Sequence, residues 1–95
     1  MTEKTSFIKE VERQIDNRTA EIAKFRVIAE VAEPDDQIRF YQIIEEIVKK
    51  ENDVKEKLDD FEKSGGENLA DLKNEINTLQ QRVEKAIDDA RVKVN

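Results

Sequence analysis

Three stretches of the chain carry apolar residues at alternating spacings of three and four, with polar residues between them. The first stretch runs through Ile8, Val11, Ile15, Arg18, Ile22, Phe25, Ala29 and Ala32. The second is Phe40, Ile44, Ile47, Glu51, Val54, Leu58 and Phe61. The third is Leu69, Leu72, Ile76, Leu79, Val83, Ala86 and Ala90. Such a repeat keeps one apolar seam on a helix and lets neighbouring helices supercoil left-handedly. A strand would need alternation by two, and no stretch shows it. The pattern predicts an all-α fold: helices over about 5–33, 35–63 and 67–93, forming one antiparallel, up-down-up three-helix coiled-coil bundle.

The turns agree with this register. Folding the first helix on the second pairs Ile8 with Phe61, Val11 with Leu58, Ile15 with Val54 and Ile22 with Ile47, at a constant index sum. The midpoint of that sum falls between Pro34 and Asp35. Folding the second helix on the third pairs Phe61 with Leu69, Leu58 with Leu72, Val54 with Ile76 and Ile47 with Val83. That midpoint is Gly65. Pro34 suits the first helical turn, where its missing N–H costs nothing, and it disfavours helical backbone at Glu33. Asp35 and Asp36 set negative charge at the positive end of the second helix. Ser64-Gly65-Gly66 offers an exit through a left-handed residue, and Glu67 or Asn68 can start the third helix. The ends are expected to fray over 1–5 and 93–95.

One layer of the seam is polar. Arg18 faces Glu51 in this register, and Leu79 completes the layer. Two readings stand. The pair is a snorkelling one whose charged heads reach water at the seam edge, or it is a register device that a slipped alignment would leave buried and unpaired.

Composition narrows the function classes. Of 95 residues, 42% are charged and 5% aromatic, the profile of a long helix or coiled coil. The net charge is −6 and the basic residues are dispersed among acids, so nucleic acid is not expected as a partner, and an anionic membrane surface is disfavoured. Cysteine is absent, which removes disulfide and thiolate chemistry. Histidine is absent too, and with it the usual general base and metal ligand. Adjacent acids such as Glu45-Glu46, Asp59-Asp60 and Asp88-Asp89 project about 100° apart on a helix and do not converge. No catalytic residue, cofactor site or metal site is expected. The N-terminal residues have no apolar signal core and no run is apolar enough for a membrane span, so a cytoplasmic location is the expectation.

Extra apolar residues gather at one end. Ile28, Tyr41, Ile43, Val48 and Ile87 flank the seam, whereas Val27, Val31, Ile38 and Val92 fall at outward positions. The register sets Val31 level with Ile38, and Ile38 level with Val92, near Pro34. Either the core widens there, with scattered surface apolars, or the end is an association surface. The candidate interface is Val27, Ile28, Val31, Ile38, Tyr41 and Val92. A homodimer through a two-fold axis is its favoured occupant, with an unidentified protein partner as the other.

The stretch from Tyr41 to Arg91 includes Glu45-Glu46, Lys49-Lys50, Lys57-Leu58, Ser64-Gly65, Asp71-Leu72-Lys73 and Glu84-Lys85-Ala86. It resembles a family of small bacterial coiled-coil proteins described as stress-response proteins. The resemblance implies a non-enzymatic, soluble bacterial protein and brings no functional residues with it. Members of that family carry tryptophans on the last helix and this chain has none, so no partner bound through them carries over.

The expected function is therefore that of a protein-interaction or scaffold protein that self-associates, stress-linked by resemblance. A reversible amphipathic lipid binder would need a polar face richer in Lys and Arg. A spectrin-like spacer would continue its third helix into a neighbouring repeat. A helix-swapped assembly satisfies the same seam as the closed bundle.

Overall fold

The heptad seams become three long helices. The computed structural model describes residues 3–94. Helix α1 spans Glu3–Glu30, α2 spans Pro34–Lys63 and α3 spans Leu69–Lys93; the described residues contain no strand. The protein is an all-α three-helix bundle in which α2 packs along both α1 and α3. It is rod-like, 50 × 20 × 18 Å, with a radius of gyration of 15.4 Å. A compact domain of this length would have about 13 Å. A rod this thin has room for one seam of side chains and little else.

The core follows the first two seams closely. Val11, Ile15, Ile22, Phe25 and Ala29 of α1 are buried against Phe40, Ile44, Ile47, Val54, Leu58 and Phe61 of α2. Ile8 and Ala32, at the ends of the first seam, are half-buried.

Helix α3 turns its seam by one residue relative to the expectation. Its buried side chains are Ile76, Gln80, Val83, Ile87 and Ala90, followed by Val94 beyond the helix end. Leu69, Leu72, Leu79 and Ala86 are only partly buried. Both rows share Ile76, Val83 and Ala90, so the choice lies between the flanking columns. Leu79 and Ala86 continue into Lys93, whereas Gln80 and Ile87 continue into Val94. Burying Ile87 and Val94 keeps Lys93 in water and brings Gln80 inward. Leu79 therefore does not complete the polar layer.

The turns are built somewhat differently from the expectation. Helix α1 ends at Glu30, earlier than residue 33, because Glu33 is extended (φ −60°, ψ 152°) ahead of Pro34. The Ala32 N–H donates back to the Ala29 carbonyl at 3.3 Å, closing the turn. The Gln37 amide, from the first turns of α2, donates to the Ala29 and Glu30 carbonyls at 3.0 and 3.2 Å. It satisfies acceptors that a helix C-terminus leaves open.

At the other end, α2 exits through Ser64 in an extended conformation (φ −65°, ψ 137°), not a left-handed one. The positive φ values come later, at Gly66 (105°) and Asn68 (62°). Asn tolerates this region better than most residues. Asn68 makes no side-chain cap to α3; instead the Ser64 hydroxyl donates to the Glu67 carbonyl at 2.9 Å and holds the turn.

The terminal regions are more tied down than expected. Glu3 and Lys4 are helical. The Lys4 ammonium donates to the Glu62 and Ser64 carbonyls at 3.0 and 2.8 Å and lies over the Phe61 ring. Phe7 meets Phe61 at 5.0 Å between ring centroids. Lys93 is helical and Val94 is fully buried. The fraying expected at 1, 2 and 95 lies outside the described residues.

Candidate functional site

Two features depart from a plain apolar seam: a polar layer at mid-bundle and an apolar end near Pro34. The described residues bury three polar or charged side chains, one on each helix: Arg18, Glu51 and Gln80. Arg18 Nε donates to both Glu51 carboxylate oxygens, at 3.0 and 3.1 Å. Its Nη1 reaches Glu84 Oε1 on α3 at 3.3 Å. Each side chain of the Arg18–Glu51 pair is only 4% exposed, so the charged heads do not reach water. The snorkelling reading is thereby replaced by an enclosed, hydrogen-bonded pair. Two buried atoms remain without hydrogen-bond partners, Arg18 Nη2 and Gln80 Oε1.

Burial pushes the Glu51 carboxyl above the ordinary carboxylate range. The two hydrogen bonds and the charge of Arg18 pull the other way, as does Lys55, while Glu84 adds to the rise. Desolvation disfavours the charged form more than these partners favour it. The layer is boxed in by Ile15 and Ile22 of α1, Ile47 and Val54 of α2, and Ile76 and Val83 of α3. Glu51 also lines a groove of about 210 Å³ between α1 and α2, beside Thr19, Arg26, Asn52 and Lys55.

The apolar end divides in two. Val27 (61%), Val31 (82%), Ile38 (62%) and Val92 (81%) are exposed. Ile28 and Tyr41 are half-buried and pack against the core, as do Ile43 and Val48. Ile87 is fully buried. The core does widen here, and four large apolar side chains still face water. Val31 sits on the turn held by Gln37, just beyond α1, and Ile38 lies one residue past Gln37. The course of the chain puts the end of α1, the start of α2 and the end of α3 at this one end of the rod.

The remaining surface is charged. Arg91 of α3 binds Glu21 of α1 at 2.6 Å and also pairs with Asp88; Lys73 binds Glu3 at 3.3 Å and lies over the Phe7 ring. Lys57 pairs with Glu75 across α2 and α3 at 3.0 Å. A groove of about 360 Å³ lined by Lys57, Asn74, Glu75, Thr78, Leu79 and Arg82 lies open beside that pair. Among the described residues no cluster of acids could hold a metal ion, and no helix is long and apolar enough to cross a membrane.

The residues that sequence reasoning missed are Gln80, Glu84, Gln37 and Lys4. Gln80 had a signal: Ile87 and Val94 follow it at heptad spacing, a column that competes with Leu79 and Ala86. The reach of Gln37 and Lys4 to backbone carbonyls depends on how the helix ends are placed, and no spacing encodes it.

The fold defines the class as a charged all-α three-helix bundle. No family, curated protein or solved structure matches the chain.

Proposed function

We propose that this chain is a non-enzymatic protein-interaction or scaffold protein that forms a homodimer through the apolar end around Val27, Val31, Ile38 and Val92. One observation carries the reading. The exposed large apolar side chains belong to one end of a rod whose other faces are charged. Apolar surface left in water on a small charged protein marks a place where another surface docks. A second copy suits it because a two-fold axis buries the same patch twice. A stable pair covers about 800 Å² on each partner, so the half-buried Ile28 and Tyr41 edges belong to the same interface, with Tyr41 as an aromatic anchor.

The lack of histidine and cysteine supports a non-catalytic role. Val31→Glu and Ile38→Glu test the surface, because each puts a charge on the patch without touching the seam. Light scattering on each variant should give a folded monomer. An unchanged dimer in both would overturn the assignment of this end.

A further inference from the structure

The two turns constrain register unequally. The α1–α2 turn holds Pro34 at the start of α2, the extended Glu33 before it, and the Gln37 clamp across it. The α2–α3 turn holds Gly65 and Gly66, and a Cβ at either would meet nothing within 4 Å. The glycines themselves are open, and this turn is held only by polar contacts, Ser64 to the Glu67 carbonyl and Lys4 to the Ser64 carbonyl. The apolar seam resists a slide of α3 by a heptad only through side-chain volume, as Ile76, Val83 and Ala90 would exchange places.

The polar side chains would resist. Gln80 is the one buried polar residue on α3, and Glu84 lies one turn further along on the same face. Arg18 Nη1 contacts Glu84 at 3.3 Å. Arg18 Nη2 is a buried donor and Gln80 Oε1, one turn before Glu84, a buried acceptor, each lacking a partner. They are chemically complementary, directly or through one bridging water. A slide of α3 by a heptad would put Arg91 or Asn77 where Glu84 meets Arg18. Either choice leaves the guanidinium facing a like charge or an uncharged amide in place of a carboxylate.

We infer that Arg18 sets the register of α3 through Gln80 and Glu84, so that the polar layer is a register device spanning three helices. An apolar layer would hold the helices together as well, but it would distinguish one heptad from the next only by side-chain volume.

Cross-linking tests this directly, because the chain has no cysteine of its own. Glu46 and Asp89 line one α2–α3 groove. The pair Glu46→Cys with Asp89→Cys therefore reports the native register. Glu46→Cys with Arg82→Cys reports a slide of one heptad. Thr19 and Asn52 line one α1–α2 groove, so Thr19→Cys with Asn52→Cys serves as control.

In the otherwise unaltered chain, only the native and control pairs should cross-link. In Gln80→Leu/Glu84→Ala, the native-to-slipped ratio should fall by about tenfold or more, the scale of losing one charge-assisted hydrogen bond. The control pair should be unaffected. An unchanged ratio would overturn the inference. So would equal loosening of the control pair, which would mean general loss of packing. If the variant loses its helical signal, Gln80→Met/Glu84→Gln keeps the volumes and decides between the same outcomes.

Discussion

Arg18 Nε lies 3.0 and 3.1 Å from the two carboxylate oxygens of Glu51, and both side chains are sealed between apolar layers. Burial of the pair costs hydration on both sides, and their attraction offsets it only while both are present. Arg18→Leu or Glu51→Leu alone should therefore each destabilise the fold by about 3–5 kcal/mol, with Glu51→Leu at the lower end because Arg18 keeps its contact with Glu84. The double substitution should cost much less than the two singles added together. Urea denaturation of all four proteins gives the coupling. Additive losses would mean that the pair contributes nothing as a pair.

The same burial predicts a pH effect. Glu51 holds its proton above the ordinary carboxylate range in the folded protein. Between the unfolded and folded values the native state binds more protons, so stability falls as pH rises. The contribution is complete below the unfolded value and is lost as pH rises through the raised one. Arg18 faces Glu51 from α1, Glu84 from α3 and Lys55 from α2 itself. Glu51→Gln cannot titrate there. The stability difference between wild type and Glu51→Gln should shift against the wild type as pH climbs from acid towards neutral. A flat difference across that range would show that Arg18 cancels the cost of burial.

The Gln37 clamp predicts a local loss. Its amide bonds the last carbonyls of α1 at 3.0 and 3.2 Å. Gln37→Ala should cost about 0.5–1.5 kcal/mol. A thermal melt would register that as a fall of several degrees, at about 4–8 °C per kcal/mol for a domain of this size. An unchanged melting temperature would mean that water serves those carbonyls equally well.

The turned seam of α3 predicts an inequality between two neighbouring columns. Ile87 is fully buried and Leu79 only partly so. Ile87→Ala should cost about 2–5 kcal/mol, the range for emptying a packed site. Leu79→Ala should cost clearly less, since part of its surface is in water already. Chemical denaturation of both variants compares them, and the opposite order would restore the seam through Leu79 and Ala86.

Much of the fold was legible because heptad spacing and turn chemistry said the same thing. Ile22 and Ile47, or Val11 and Leu58, are buried where the register sets them. Pro34 stands at the start of α2 as its missing N–H requires. The level of Arg18 with Glu51 followed from counting. Their full enclosure did not, because it depends on how closely α3 covers them. The seam of α3 was misread by one column because Leu79 outweighs Gln80 on any apolar scale. The fuller evidence lay downstream, in Ile87 and Val94 against Lys93. At the Pro34 end, counting separated outward Val27, Val31, Ile38 and Val92 from the flanking residues, and their exposure agrees.

Sedimentation equilibrium over a wide concentration range tests the proposed association most directly. A dimer mass is expected, which Ile38→Glu and Val31→Glu reduce to a monomer of 11.1 kDa with its helical signal intact. A monomer at every concentration would contradict self-association through the Pro34 end.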